Sequence, residues 1–149
     1  MSQTLCFVDT NVFICSRDKS EGDRQKQAKA WVDRLSTERL GRTSTQVLNE
    51  YFLTVTEYLD PGMSRKAAWD DVLSLAHWDP VPGNIEVLKR GHRANEHYQL
   101  NWWDAQIVAA AQACGCKYLL TENLEAGKEL DGLTVINPFE TAPGDLLDA

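Results

Sequence analysis

The apolar run of LCFVDTN ends in a carboxylate, Asp9, and three later segments bring further oxygen donors to suggestive places. In TSTQVLNEYF, Glu50 lies in an otherwise neutral stretch, one turn after Val47. In NWWDAQIVAAA, Asp104 opens a very apolar helical pattern, and after KYLLT come Glu122 and Asn123. Asp104 shares a helix face with Ile107, Val108 and Ala111, so that face is expected to lie inside. An ionised carboxylate near an interior is costly unless it is paired, hydrogen-bonded or on a metal. Several acids brought together would repel unless protonated or neutralised, and a divalent cation resolves that cost. Oxygen donors select hard cations, Mg2+ or Mn2+, over zinc.

Each position also has an ordinary reading. Asp9 or Thr10 could cap a short following helix. Asn101-Trp102-Trp103-Asp104 has the form of a capping box. Glu50 alone reads as a partly exposed helix acid, and Glu122-Asn123 as a turn. The case for chemistry therefore depends on whether the chain brings these positions together.

The elements that would do so read as follows. Thr4 to Val8 forms a short buried strand, and Asp23 to Arg39 a long helix with Ala28, Trp31, Val32 and Leu35 at helical spacing. Gly41 to Ser44 suggests a second short strand. Thr45 to Leu59 is helical, and Asp60-Pro61-Gly62 stops it. Ser64 to about His77 gives a third helix. Trp78 to Pro82 could hold an edge strand, since its prolines suit no central one. Asn84 to Tyr98 and Asn101 to about Gly115 are helical. Lys117 to Thr121 and Leu133 to Ile136 are strands, and a polar tail begins near Pro138. Strands alternating with helices imply an α/β fold with a mainly parallel sheet covered by helices. In such sheets ligands bind beyond the carboxyl ends of strands, where Asp9 and Glu122-Asn123 fall.

The 149 residues favour one domain, spanning 1–149 with a polar C-terminal tail from residue 139. The net charge of −7 argues against a broad basic surface for nonspecific duplex binding. It leaves open nucleic acid bridged by cations to an acidic site. Four cysteines, Cys6, Cys15, Cys114 and Cys116, form no paired zinc-binding pattern. No leader or membrane-spanning stretch is apparent, and the chain reads as cytoplasmic and reduced. His77, His92 and His97 lack partners at metal-ligand spacing, and there is no nucleophile elbow or phosphate-binding glycine loop. Carboxylate and metal chemistry remains as the well-populated option.

The succession VDTN, STQVLNEY, WWDAQIVAAA and YLLTEN…INPF resembles the PIN domain, most closely the VapC-type ribonuclease toxins of bacterial VapBC toxin–antitoxin modules. The resemblance runs from about Leu5 to Phe139. It implies a three-layer α/β/α sandwich around a mainly parallel sheet, with Asp9, Glu50 and Asp104 grouped as catalytic acids. It further implies that Asn11 and Thr121 arrange those acids, and that Mg2+ or Mn2+ is the cofactor. Metal ligands would be Asp9, Asp104 and Glu50, together with position 123. The fourth acid usual there is Asn123 in this chain, which keeps a weak oxygen ligand but removes one negative charge. Glu122 could compensate by turning inward, although alternation along an extended chain points it elsewhere.

The activity implied is endonucleolytic hydrolysis of RNA by a metal-activated water, with a VapB-like antitoxin as partner and a homodimer as the assembly. Arg17, Lys19, Arg24 and Arg42 are the candidate RNA-binding cations, each equally readable as solvated surface charge. Trp102, Trp103 and Trp31 could stack on bases, with core packing expected for at least two of them. A PIN scaffold weakened by Asn123 and acting as an RNA or protein adaptor is the alternative. A phosphatase forming an aspartyl-phosphate would need an acid where Asn11 stands.

Overall fold

The computed structural model describes residues 4–149, so the first three residues of the domain as bounded from the sequence lie outside the described part. Five strands form one sheet: β1 (Cys6–Val8), β2 (Gly41–Arg42), β3 (Tyr118–Leu120), β4 (Glu129–Leu130) and β5 (Leu133–Ile136). Their order is β2-β1-β3-β5-β4, parallel throughout except for β4, which pairs antiparallel with β5. The helices are α1 (Thr10–Arg17), α2 (Asp23–Glu38), α3 (Thr45–Leu53), α4 (Arg65–Leu75), α5 (Ile85–Tyr98), α6 (Trp102–Ala113) and α7 (Pro143–Leu147).

The connection from β1 to β2 carries α1 and α2 one way across the sheet. The connection from β2 back past β1 to β3 carries α3 to α6 the other way. Parallel crossovers are right-handed, so connections running in opposite directions cover opposite faces. The result is the expected three-layer sandwich. It also puts a topological switch point between β1 and β3, the place where α/β sheets open a crevice.

Apolar patterning explains what is inside. Cys6, Phe7 and Val8 are all fully buried, as are Leu119 and Leu120 on the neighbouring strand, because helices cover both faces there. Trp31 from α2 is fully buried too, with its indole N–H donating to the Thr141 carbonyl at 2.9 Å. Full burial of a large apolar side chain contributes roughly 1.5–3 kcal/mol. Helix α6 is buried along all of Ala105–Ala111, which fits its apolar composition on every side. It crosses α5 closely at Gly91, where an added Cβ would overlap the flexible end of the Gln106 side chain.

Several expectations need correction. The first strand is shorter than Thr4–Val8, and α1 follows it at once, the short helix that the capping reading of Asp9 or Thr10 allowed. Trp78–Pro82 makes no strand. Trp78 ends a 3-10 turn, and Val81 alone bridges Ser44, its N–H donating to the Thr43 carbonyl at 3.0 Å. Pro80 and Pro82 have no N–H to extend that ladder. Strand β4 was not anticipated. The polar tail carries α7, which is tied to α2 by ion pairing of Arg34 with Asp148. The helix read as Thr45–Leu59 has α-helical geometry to Leu53 and finishes in a π-helical turn over Thr54–Tyr58.

Candidate active site

Asp9 stands one residue beyond β1 and is the N-cap of α1, so the capping and the functional readings describe the same residue. It is 4% exposed. One carboxylate oxygen accepts from the Thr10 N–H at 2.7 Å. The other accepts from the Thr121 hydroxyl at 2.9 Å and from Asn11 Nδ2 at 3.3 Å. Thr121 directly follows β3, so the two strand ends at the switch point are joined through this contact.

Thr121 is saturated in hydrogen bonds. Its single hydroxyl proton goes to Asp9, and its oxygen accepts from Asn11 Nδ2 at 3.2 Å and from the Asn123 N–H at 3.1 Å. A hydroxyl has one donor and two acceptor sites, and all are used. Asn11, by contrast, is left with a buried Oδ1 that has no partner.

Glu50 reaches the same neighbourhood from α3. Its Oε2 accepts from the Thr10 hydroxyl at 2.7 Å and its Oε1 from Gln46 Nε2 at 2.9 Å. The sequence reading overlooked Thr10 and Gln46 as positioning groups. Gln46 precedes Glu50 by four residues on one helix, which is the spacing of facing side chains, and that signal was available. Asp104 enters from the first turn of α6, half buried, with Oδ2 accepting from Asn101 Nδ2 at 2.8 Å while its own N–H donates to Asn101 Oδ1 at 2.8 Å. The Asn101–Asp104 cap is therefore real, and it fixes the carboxylate.

The electrostatics bring the three acids together. Burial pushes the Asp9 carboxyl from 3.8 up to about 6, against the lowering effect of its Thr10 and Thr121 hydrogen bonds. The charges of Glu50 and Asp104 add to the rise. Asp104 is also raised, first by burial and then by Glu50, with its Asn101 hydrogen bond opposing. A buried acid under like-charge repulsion and a buried carbonyl oxygen without a donor are both relieved by a hard cation. Among the described residues, no three His, Cys, Asp or Glu side chains are grouped so that they could hold a metal ion between them.

The remaining candidates divide. Asn123 adjoins the pocket through its backbone N–H, and its side chain is exposed. Glu122 is exposed and ion-paired with Arg24 at 2.7 Å. Arg24 also pairs with Glu21 and lies 3.9 Å over the Phe139 ring. Arg17 pairs with Asp71 at 2.9 Å. Lys19 is exposed in a short 3-10 turn. Arg42 lies on the edge strand beside Phe7 and donates to the carbonyls of Gly41 and Arg39. Its charge acts on Cys114 and Cys116, which precede β3. The expectation that two of the three tryptophans pack in the core is corrected. Only Trp31 does, whereas Trp102 is 37% and Trp103 65% exposed.

Comparison with known proteins gives the class. The PIN domain model matches residues 6–128. The chain belongs to the PIN domain family. No curated protein sequence matches it. Among solved structures, a toxin-antitoxin complex from Klebsiella pneumoniae aligns at 20% identity with TM-score 0.65, covering 89% of this chain and 97% of that one. FitAcB from Neisseria gonorrhoeae aligns at 18% identity and TM-score 0.64, covering 92% and 100%. The Mycobacterium tuberculosis VapC20, described as a sarcin-ricin loop cleaving toxin, aligns at 17% identity and TM-score 0.55, covering 76% and 86%. At these identities the likeness is one of fold. No helix among the described residues is long and apolar enough to cross a membrane.

Proposed function

We propose that this protein is a divalent-cation-dependent endoribonuclease and the toxin of a toxin–antitoxin pair, acting in the cytoplasm. The observation that carries the reading is Asp9, a nearly fully buried carboxyl at the sheet's switch point, held near pH 6 in its titration by burial and by the charges of Glu50 and Asp104. The three acids come from just after β1, from α3 and from α6, and the charges of Glu50 and Asp104 act on Asp9. Membership of the PIN family and the fold shared with toxin-antitoxin structures support the toxin role. A VapB-like antitoxin and a homodimer belong to the same proposal.

Asp9 and Asp104, with Glu50 and the Asn11 Oδ1 beside them, would hold Mg2+ or Mn2+, and Asn123 would be a weak further ligand. When bound, such a cation supplies Lewis acidity for water activation and offsets charge building on the phosphate. The protein's own contribution is placement. Thr121, Asn11 and the Thr10 N–H fix both oxygens of Asp9, while Thr10 and Gln46 fix both oxygens of Glu50. Asn101 Nδ2 fixes one oxygen of Asp104. In-line attack then breaks the phosphodiester without a covalent enzyme intermediate. Of the candidate cations, Lys19 is exposed and makes no ion pair among the described residues, whereas Arg17 and Arg24 must first leave Asp71 and Glu122.

The test is incubation of the purified protein with structured RNA and Mg2+ or Mn2+, beside Asp9→Asn and Asp104→Asn. Cleavage that needs the metal and is lost in both variants supports the reading. Absence of cleavage with either metal, or unchanged cleavage in both variants, overturns it. The adaptor reading draws on one observation, that Glu122 is engaged by Arg24 and does not replace the missing acid at position 123. A large gain of activity in Asn123→Asp would mark the native site as handicapped.

A further inference from the structure

The four cysteines are free, and three of them are buried. The pair flanking Gly115 is different. Cys114 is the C-cap of α6 and partly exposed, and its Sγ lies 3.5 Å from that of buried Cys116. The turn that sets this distance is tight. The Cys114 N–H donates to the Ala110 carbonyl at 3.2 Å, that of Gly115 to Gln112 at 3.1 Å and that of Cys116 to Ala111 at 3.1 Å. Gly115 adopts φ +72°, a left-handed conformation that glycine adopts without strain, and this folds the two neighbouring side chains to the same side.

From this geometry we infer that Cys114 and Cys116 are a redox-modification site, a dithiol that closes to a disulfide when it meets a peroxide. The sulfurs have to approach by about 1.5 Å to reach a bond of about 2.05 Å. Cys114 is the attacking thiol because it is the member open to solvent. Hydrogen bonding from Cys116 lowers the Cys114 pKa, and the nearby Arg42 guanidinium acts in the same direction. Cys116 is raised by that same contact and by burial, so it stays a thiol and serves as the resolving group. Cys6 and Cys15 are raised by burial to about 12 and about 11, which keeps them unreactive.

The chemistry balances in two steps. The Cys114 thiolate attacks one peroxide oxygen, the O–O bond breaks, and water leaves after taking a proton, giving a sulfenic acid. The Cys116 sulfur then attacks the sulfenic sulfur, the S–O bond breaks, and the hydroxyl leaves as a second water with the Cys116 proton. Two thiols are oxidised by two electrons and the peroxide is reduced to two waters. The new bond would pin the turn between α6 and β3. Asp104 starts α6 about 15 Å away along the helix, at 1.5 Å per residue. The proposal therefore does not depend on the acid site being a nuclease.

The experiment treats the reduced, folded protein with hydrogen peroxide, alkylates remaining thiols and maps the peptides by mass spectrometry. The expected result is a peptide that has lost two hydrogens, linking Cys114 to Cys116, and that is recovered intact after thiol reductant. In Cys116→Ser, a sulfenic acid on Cys114 should be trapped by dimedone. In Cys114→Ser, reaction with peroxide should slow by about tenfold or more, since the exposed thiolate is gone. Circular dichroism confirms that both variants are folded. Full alkylation of both thiols after peroxide treatment overturns the proposal. So does a disulfide between two chains in place of the internal one, or dimedone capture at Cys6 or Cys15 in Cys116→Ser.

Discussion

Replacing Asp9 by Asn should make the metal-free protein more stable at neutral pH, although the residue accepts three hydrogen bonds. The carboxyl titrates near 6 in the folded chain against an ordinary 3.8, because burial and the charges of Glu50 and Asp104 outweigh its donors. The sign follows from proton linkage. The folded state binds this proton more tightly than the unfolded chain does. This group's contribution to stability is therefore fully present below pH 3.8 and is lost as pH rises through about 6. At 1.36 kcal/mol per pKa unit the loss is about 3 kcal/mol at pH 7. An amide at position 9 removes the charge and can still cap α1 with its oxygen. Its NH2 would face both Asn11 Nδ2 and the Thr121 hydroxyl, and a flip of Asn11 presents to both the Oδ1 that now has no partner. Allowing for that rearrangement, Asp9→Asn should gain about 2 kcal/mol at pH 7 and little or nothing near pH 4. Urea denaturation of both proteins in chelator at the two pH values measures this. A variant less stable than the parent at pH 7, or an equal difference at both pH values, would refute the account of a repelling acid pocket.

Three further outcomes follow from the same contacts. Gly91→Ala should destabilise by about 1 kcal/mol, because its Cβ makes the flexible end of Gln106 shift, and Gln106→Ala in the same chain should recover the loss in a thermal melt. Thr121→Val should cost about 1–3 kcal/mol in denaturant, since it strands the Asn123 N–H, removes one of the two acceptors of the Asn11 NH2 and takes a donor from Asp9. Thr121→Ser should retain both stability and activity. Asn123→Asp should tighten Mn2+ binding in a calorimetric titration by restoring a charged oxygen ligand, with binding to Asp9→Asn weakened in the same assay.

The parts of the fold that read clearly from the sequence are those with a long or pure pattern. Helix α2 showed in the spacing of Ala28, Trp31 and Leu35, and α6 in its unbroken apolar face. The buried runs before Asp9 and Thr121 marked the central strands. Helix α1 was legible only through the capping reading of Asp9 or Thr10, because Asp9 follows a strand and caps a helix at once, which leaves no turn residues between them. Strand β4 is two residues long, yet Asp131-Gly132 was a readable hairpin signal. Both residues take positive φ, as a tight two-residue turn requires. Asp9, Glu50 and Asp104 could be nominated individually, but no local pattern reports a distance across the sheet. Thr10 escaped notice because its role depends on Glu50, forty residues away. The pairings of Arg17 with Asp71 and Arg24 with Glu122 are likewise tertiary, and a sequence shows such cations as free.

The central claim is that the acid pocket directs water at an RNA phosphodiester. Cleaving RNA in heavy-oxygen water with Mn2+ and weighing the products tests it directly. Attack by water predicts a product whose terminal phosphate carries one heavy oxygen, with none formed by Asp9→Asn. A cyclic phosphate product without the label would mean that the RNA's own 2′-hydroxyl is the nucleophile, and would contradict the account.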